Sequence, residues 1–205
     1  MGIKERRTRE RHELRQGILT AARTIAADEG WQAVTIRKVA DQIEYSPPTI
    51  YEYFASKEAI LQALALEGFR LLRTRIEAAA EGPGSPPARF AAVALAHCTF
   101  AWDHPELYQV MNNIGGASCH LDEPPPEILA IHHTVRAVVL AALGRPANDP
   151  APLFDELDLF RATMHGLVAI TMAGHLYGDQ ERATALAAQA AHGWLAAWRE
   201  EGAAM

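Results

Sequence analysis

The chain has 205 residues, of which 49% are hydrophobic and 21% charged, and its formal net charge is −6. This length suffices for one large domain or for one small and one medium domain, and the composition is that of an ordinary globular protein. The apolar runs are shorter than the roughly 18 residues that a membrane span needs, and two cysteines are too few for a disulfide framework. The charged first residues have no apolar run behind them, so we expect no signal peptide and a cytoplasmic protein.

Charge is unevenly distributed along the chain. Residues 1–60 carry 10 Lys and Arg against 9 Asp and Glu, whereas residues 61–205 carry 9 against 16. The first 15 residues hold six basic and three acidic side chains. This asymmetry suggests that one end of the protein meets a polyanion, although a solvated basic terminus would give the same pattern.

Helical periodicity dominates, and no segment alternates with a period of two over a useful length. The first predicted helix lies within 10–28, where Ile18, Ala22 and Ile25 form one apolar stripe, and it ends at Gly30. Further helices are predicted over 36–43, 47–53, 57–79, 88–113, 127–143, 153–178 and 180–201. The helix over 88–113 has a predicted break near 104–105. Long loops are predicted at 81–88, 115–127 and 144–152. The sequence therefore predicts an all-α protein with about nine helices.

Residues 35–54 have the spacing of a helix-turn-helix, with a short helix, a tight turn and a second short helix. Thr35 and Ser46 are the predicted N-caps of the two helices. Pro47 and Pro48 suit the first positions of the second helix, where backbone N–H groups lack intrahelical partners. The prolines make this tip stiff and apolar, and in a helix-turn-helix the tip enters the major groove, where a proline ring can lie against a thymine methyl group.

The rest of the second short helix divides into an inner and an outer face. Ile50 and Phe54 are four residues apart and are predicted to pack inward, whereas Tyr51 and Tyr53 point to different faces and cannot both be buried easily. A tyrosine hydroxyl on the outer face suits a phosphate oxygen. Lys57 lies in the first turn of the next helix, where its ammonium and the helix dipole would act together on a phosphate.

Two residues of the first short helix complete the predicted surface. The hydroxyl of Thr35 could bind a phosphate, and Arg37 could reach guanine O6 and N7. A small helical bundle with capped helices and surface tyrosines would explain each residue by itself. The combination favours binding to DNA.

The segment from Ile18 to about Leu64, with TIRKVADQIEYSPPTIYEYFASKEAIL at its centre, resembles the DNA-binding domain of the tetracycline-repressor (TetR) family. The resemblance implies an N-terminal three-helix helix-turn-helix domain, residues 1–56, and a C-terminal helical ligand-binding and dimerisation domain, residues 57–205. It implies phosphate contacts from Thr35, Thr49, Tyr51, Tyr53 and Lys57, and positions near base edges for Arg37, Pro47 and Pro48. Trp31 occupies a position that packs inside the small domain.

Two residues depart from the usual pattern of the family. Pro48 stands where many members have Gly or Ala, although other members also carry proline. Glu52 places a carboxylate beside the tyrosines that face phosphate. Glu52 either faces away from DNA or reads a cytosine N4 amine.

The last two helices carry the predicted dimer interface, because each has one continuous apolar face. The candidate residues are Phe160, Met164, Leu167, Leu186, Ala190, Trp194 and Trp198. Two such helices from each subunit would form a four-helix interface, although the same faces could pack inside one subunit. A homodimer is favoured by function, since one helix-turn-helix contacts too little DNA and half-sites about 34–36 Å apart need two copies.

A ligand pocket is expected between helix 57–79 and the helices at 88–143, from residues that combine apolar bulk with polar tips. The candidates are His97, Trp102, Tyr108, Met111, Asn112, His133 and His165. Each residue by itself is more often a core or surface residue than a ligand contact. We expect no metal, because the adjacent His132 and His133 diverge on a helix, and no cofactor or enzyme activity, because nucleophile motifs and phosphate-binding glycine loops are missing.

These features together predict a homodimeric, ligand-responsive transcriptional repressor. Its partners would be double-stranded operator DNA and an unknown small-molecule effector, with no membrane. One alternative is an activator or global regulator with the same DNA-binding unit. The other is an all-α small-molecule binder or enzyme whose N-terminal bundle contacts protein.

Overall fold

The computed structural model describes residues 2–150 and 152–203, and within them the chain forms nine α-helices, one short 3-10 helix and no strand. The helices are α1 Ile3–Glu29, the 3-10 helix Trp31–Ala33, α2 Ile36–Gln42, α3 Pro47–Tyr51, α4 Lys57–Glu81, α5 Pro86–Asp103, α6 Pro105–Asn112, α7 Pro126–Ala142, α8 Phe154–Met172 and α9 Gln180–Ala203. The predicted all-α fold is confirmed. The ends of the predicted domains, residues 1, 204 and 205, and residue 151 of a predicted loop lie outside the described residues.

Helix α1 begins at Ile3, well before the apolar stripe that predicted it. Arginine and glutamate favour a helix even without a core to pack on, and Arg6 and Glu10 form an i,i+4 ion pair at 3.3 Å. The helix ends as predicted at Gly30, whose φ of +84° favours glycine.

Three further boundaries show where local sequence decides the helix ends. The predicted break near residue 104 is confirmed, because α5 ends at Asp103 and α6 begins at Pro105. Helix α3 is shorter than predicted and ends at Tyr51, although the N–H of Phe54 still donates to the carbonyl of Ile50 at 2.9 Å. Helix α8 ends at Met172 and not near 178, because the chain turns at Gly174 with a φ of +71°.

The chain forms two compact units. The first unit comprises the residues up to Gly68 together with Pro105–Glu123, and the second comprises Phe69–His104 and the residues from Pro124 onward. The division therefore falls inside α4, and α6 belongs with α1 to α3. The predicted domain boundary after residue 56 stays a prediction.

The core of the first unit forms around Trp31, which is fully buried as expected. The buried residues Ile18, Val39, Ile50 and Leu64 bring α1, α2, α3 and α4 into the same core. The loop after α6 is also attached to this unit, because the Gln62 side chain donates a hydrogen bond to the carbonyl of His120 at 2.8 Å.

The second unit contains a cluster of four aromatic side chains. The ring centroid of Phe90 on α5 lies 5.7 Å from that of Phe160 on α8 and 6.2 Å from that of Trp198 on α9. Trp194 lies 6.3 Å from Phe160 and stacks on Trp198 at 5.9 Å. Large aromatic rings in such tilted and stacked arrangements bury much apolar area, so the cluster holds α5, α8 and α9 together.

Candidate functional site

The helix-turn-helix is held by short-range hydrogen bonds. Thr35 caps α2 as predicted, because its Oγ1 accepts the N–H of Lys38 at 3.1 Å. Glu44 has a φ of +59°, and the N–H of Tyr45 donates to the carbonyl of Ala40 at 3.0 Å. This left-handed residue and the hydrogen bond after it reverse the chain and fix α3 beside α2.

Helix α3 begins with Pro47 and Pro48 in its first two positions, as predicted. Ser46 occupies the N-cap position, but the predicted side-chain cap does not form. Its hydroxyl lies 3.0 Å from the hydroxyl of Thr49 and not on a backbone N–H. The next two residues are prolines without an N–H, and the N–H of Thr49 donates to the backbone carbonyl of Ser46 at 3.0 Å. The two hydroxyl groups and two pyrrolidine rings therefore make up the tip of α3.

The inner and outer faces of α3 follow the predicted division. Ile50 and Phe54 are 0% and 4% exposed, whereas Tyr51 is 55% exposed. All eight predicted DNA-contacting residues keep access to solvent: Thr35, Arg37, Pro48 and Tyr51 are exposed, and Pro47, Thr49, Tyr53 and Lys57 are partly exposed. The solvent-accessible residues therefore include both hydrogen-bond donors and apolar rings, and the inner side of α3 is anchored in the core through Ile50.

Lys57 also has a structural contact that the sequence did not indicate. Its Nζ donates to the backbone carbonyl of Trp31 at 2.9 Å. The bond ties the start of α4 to the 3-10 helix and fixes the position of the ammonium group. A phosphate that binds Lys57 would therefore contact an ammonium that also bonds the carbonyl of Trp31.

Two arginines of α1 were missing from the predicted site. The guanidinium of Arg11 lies 5.7 Å from the ring centroid of Tyr53, and that of Arg15 lies 4.8 Å from the ring centroid of Phe54. Both distances suit a cation–π contact. The available signal was the spacing, because Arg11 and Arg15 lie seven and three residues before Ile18 and continue its face of the helix.

A cleft of about 480 Å³ opens beside α3. Its lining residues are Arg7, Glu10, Arg11, Leu14, Tyr45, Glu52 and Tyr53. Glu52, which had no assigned partner in the sequence, thus lines the same cleft as two arginines of α1.

A second cleft, of about 410 Å³, lies within the second unit. Its lining residues are Ala80, Glu81, Pro86, Arg89, His133, Thr134, Ala137, Val138 and Ala141, from the end of α4, the start of α5 and α7. Its walls are mainly apolar, and its polar residues are one acidic side chain, one basic side chain, one imidazole and one threonine. Among the seven predicted ligand-binding residues, His133 alone lines this cleft.

The other predicted ligand-binding residues are divided between the two units. In the first unit Tyr108 and Met111 are buried, and the side chain of Asn112 donates to the carbonyl of Tyr108 at 2.9 Å. In the second unit the indole N–H of Trp102 donates to the hydroxyl of Thr184 at 3.1 Å. The first hydrogen bond lies within α6 and the second joins α5 to α9. Tyr108, Met111 and Asn112 thus belong to the first unit, and the other four candidates belong to the second.

His97 and His165 are neighbours in the second unit. Burial, with a smaller contribution from the nearby His165, lowers the pKa of His97 to about 4. The imidazole of His97 also meets the ring of Phe160 edge-on, with centroids 6.5 Å apart. His97 is therefore neutral at pH 7 and lies beside the aromatic cluster.

The predicted dimer-interface residues fall into two groups. Phe160 and Met164 are 4% and 0% exposed and are buried inside the subunit, so for these two residues the alternative of packing within one chain holds. The partly exposed group is Leu167, Leu186, Ala190, Trp194 and Trp198. The outward faces of α8 and α9 carry other apolar or small residues: Leu159, Ala162, Ile170, Ala185, Gly193 and Ala196.

No group of three His, Cys, Asp or Glu side chains in residues 2–150 and 152–203 is placed to hold a metal ion. Among these same residues no helix is both long and apolar enough to cross a membrane.

A helix-turn-helix with donors and apolar tips on its exposed face defines a DNA-binding transcriptional regulator. Residues 18–64 match the model of the bacterial regulatory proteins of the tetR family, and residues 90–193 match that of the tetracyclin repressor-like C-terminal domain. The two matches cover most of the chain. The chain belongs to the TetR family of transcriptional regulators.

Known proteins similar to the chain include regulators from several bacteria. It is 26% identical over 160 residues to the "Uncharacterized HTH-type transcriptional regulator Rv0681" of Mycobacterium tuberculosis, covering 78% of this chain and 71% of the relative. It is 34% identical to the repressor KstR of Mycolicibacterium smegmatis over 74 residues, only 36% of each protein. The TetR family regulator PfmR of Thermus thermophilus has the same fold, with a TM-score of 0.61, 18% identity and coverage of 83% of this chain and 94% of that one.

Proposed function

We propose that the protein is a ligand-responsive repressor that binds operator DNA as a homodimer. The observation that carries the proposal is the exposed face of α3, where Pro48 and Tyr51 point outward while Ile50 and Phe54 are buried beneath them. Two such helices, one from each subunit, would enter successive major grooves about 34–36 Å apart.

The exposed side chains divide into base readers and phosphate binders by their chemistry. Arg37 can form a bidentate pair with guanine, and Pro48 offers an apolar contact to a thymine methyl group. Tyr51 and Lys57 are single donors that suit phosphate oxygens, which carry no sequence information. The preference for particular bases should therefore depend on Arg37 and Pro48. The affinity for DNA of any sequence should depend on Tyr51 and Lys57.

Repression is favoured over activation by one relative. The segment of KstR that is 34% identical to this chain is part of a protein named as a repressor. An activator would use the same DNA-binding unit, and the position of the operator relative to the promoter separates the two. An operator that overlaps the promoter supports repression.

Dimerisation is proposed to use the outward faces of α8 and α9. Leu159 and Ile170 on α8 are 49% and 41% exposed, and such large apolar side chains gain from burial against a second copy. Gly193 on α9 is exposed and has no atom within 4 Å of the position a Cβ would take, so another helix could approach its backbone closely.

The effector is proposed to bind in the 410 Å³ cleft, which is large enough for a small molecule. Ala80 and Glu81 at the end of α4 line that cleft, and Lys57 lies at the start of the same helix. An effector that tilts α4 would change the separation of the two α3 helices and release DNA. Shifting the population from 99:1 to 1:99 requires about 5.5 kcal/mol of differential affinity.

The proposal is tested by selecting a preferred duplex from a randomised pool and measuring affinity for it by fluorescence anisotropy. Tyr51→Phe should weaken binding to the selected duplex and to its variants alike, because a phosphate contact is lost. Tyr177→Phe is the matched control, since Tyr177 is 90% exposed and lies in the second unit. Equal affinities for Tyr51→Phe and Tyr177→Phe would contradict the assignment of α3.

Arg37→Ala should change which bases the selection recovers, whereas Lys57→Ala should weaken binding without changing them. Because Lys57 also bonds the carbonyl of Trp31, its variant is compared with the wild type by thermal melting first. A wild-type protein that binds all duplexes weakly and equally would overturn the repressor proposal.

A further inference from the structure

The first half of α1 separates its charges by face. Arg7, Arg11 and Arg15 recur every four residues, so they share one face of the helix. Glu5, Glu10 and Glu13 are each turned about 100° or more away from Arg11 at 3.6 residues per turn. The face that continues the buried stripe of Ile18 therefore carries all three arginines.

This basic face lies against the helix-turn-helix. Arg11 lies over the ring of Tyr53 at 5.7 Å, and Arg15 lies over that of Phe54 at 4.8 Å. Phe54 is buried and forms part of the core, so the contact fixes the position of α1. The guanidinium groups are thereby held beside α3 and do not move freely in solvent.

The 480 Å³ cleft, lined by α1 and by residues that flank α3, has donors of the kind that bind phosphate. Arg7 and Arg11 bring two guanidinium groups, and Tyr45 and Tyr53 bring two phenol hydroxyls. Guanidinium groups match the geometry of phosphate oxygens and remain charged at all physiological pH values. Arg7, Arg11 and Tyr45 are all exposed, so a polyanion can reach them.

Two carboxylates also line the cleft, and they differ in their partners. Glu10 is paired with Arg6 at 3.3 Å, so its charge is partly offset by a residue outside the cleft lining. Glu52 faces the same cleft as Arg7 and Arg11. The carboxylate of Glu52 would therefore weaken the electrostatic attraction of Arg7 and Arg11 for a phosphate in the cleft.

We propose that Arg7 and Arg11 bind a phosphate of the DNA backbone beside the segment contacted by α3, with Tyr45 and Tyr53 as additional donors and with Glu52 limiting the affinity. This inference rests on the proposed DNA-binding function. It extends the interface from the helix-turn-helix to the N-terminal half of α1. It also gives Glu52 an electrostatic effect in place of base reading.

The test is the salt dependence of binding to the selected duplex, measured for the full chain by anisotropy between about 50 and 200 mM salt. The Arg7→Ala/Arg11→Ala double variant should lower the slope of log K against log salt by about 0.9 per subunit, because one phosphate contact is lost from each. Each single variant should weaken binding about fivefold.

Arg9→Ala is the matched control. It removes the same charge from the same helix, about 160° away from Arg11 around the axis. It should weaken binding less than about twofold, since Arg9 does not line the cleft and its charge acts on a phosphate there only at long range. If Arg9→Ala weakens binding as much as Arg7→Ala, general charge and not a phosphate site explains the effect, and the inference is overturned.

Glu52→Gln tests the second half of the proposal. It should tighten binding about two- to fivefold on every duplex, and the gain should disappear in the Arg7→Ala/Arg11→Ala background. Asp41→Asn, at another exposed acidic residue of the same unit, should give a smaller gain. A changed base preference for Glu52→Gln would instead mean that Glu52 reads a base, and that result overturns this half.

Two controls keep the outcomes distinguishable. Thermal melting of each variant detects loss of the Arg11 contact with Tyr53, and Arg7→Ala leaves the two stacked arginines in place. If the wild type selects no duplex, the proposed function fails. If the wild type binds its duplex but the slope is unchanged in the double variant, only the contact from α1 fails.

Discussion

Arg23 of α1 donates two hydrogen bonds to one carboxylate oxygen of Glu106 on α6, at 3.0 and 2.7 Å, and a third to Glu67 on α4, at 3.0 Å. Glu106 is 8% exposed, so its charge is removed from water and compensated by a single arginine. The contact joins α1 to a helix that follows it by more than 75 residues in the chain. It explains why α6 is part of the same compact unit as the helix-turn-helix.

Loss of the Glu106 charge should destabilise the first unit. Glu106→Gln should lower the free energy of unfolding by about 2–4 kcal/mol, because Arg23 loses its most buried counter-ion and retains only Glu67. Urea denaturation followed by circular dichroism measures the change. Glu77→Gln breaks the exposed pair with Arg73 and should cost less than about 1 kcal/mol. Equal losses would mean that the Arg23 pair contributes no more than a surface pair.

Gly68 marks a close approach of α4 to α6. A Cβ at this position would lie 2.4 Å from the sulfur of Met111 and 2.9 Å from its Cγ. Gly68→Ala should therefore destabilise the protein by about 1–2 kcal/mol, although the same change in a helix interior is usually stabilising. Thermal or urea denaturation of the variant checks this.

Two variants separate the close contact from helix propensity. Gly17→Ala lies within α1, where no atom is within 4 Å of the added methyl group, and should stabilise by up to about 1 kcal/mol. In a Met111→Ala background the cost of Gly68→Ala should vanish, because the clashing atoms are gone. An unchanged cost in that background would place the clash elsewhere.

Stability should fall as the pH is lowered from 6.5 towards 4 because of His97. The folded pKa is about 4, below the ordinary 6.5, so in this window the unfolded chain binds a proton that the folded chain does not. Stability is thus highest above pH 6.5 and is lost as the pH falls. Between pH 7 and pH 5, His97→Gln should lose about 1–2 kcal/mol less than the wild type. The same change at the exposed His175 is the control, and an identical pH dependence for His97→Gln and wild type would contradict the assignment.

Dimerisation through α8 and α9 predicts a specific charge effect. Ala162→Arg introduces a charge on the exposed face of α8 between Leu159 and Ile170, and it should shift the protein towards monomer in analytical ultracentrifugation. Ala78→Arg makes the same change at an exposed position of α4 and should leave the assembly state unchanged. If the wild type sediments as a monomer at micromolar concentration, or if both variants behave alike, these faces are not the interface.

The parts of the fold that local rules govern were predicted well from sequence. The cap at Thr35, the proline start of α3 and the stop at Gly30 each depend on a few neighbouring residues. The burial of Ile50 and Phe54 followed from their four-residue spacing. The cap at Ser46 was wrong because its hydroxyl finds Thr49 and not a backbone N–H.

Contacts between distant segments could not be predicted in the same way. Periodicity marks Phe160 and Met164 as apolar but does not tell whether α5 and α9 or a second subunit covers them. Residue type alone does not decide which side chains line one cavity, so the ligand-binding residues stay a prediction. The sequence around Glu106 does not indicate that its partner is Arg23, which lies 83 residues away in the chain.

In the proposed complex, the α3 helices of two subunits read DNA sequence as a symmetric pair. The most direct measurement is selection from a randomised duplex pool with the wild type, followed by the same selection with Pro48→Ala and Arg37→Ala. A symmetric dimer should select two inverted half-sites with centres about one helical turn or a multiple of it apart, and each variant should select altered bases within each half-site. Recovery of no common sequence, or of the same sequence with all three proteins, would contradict it.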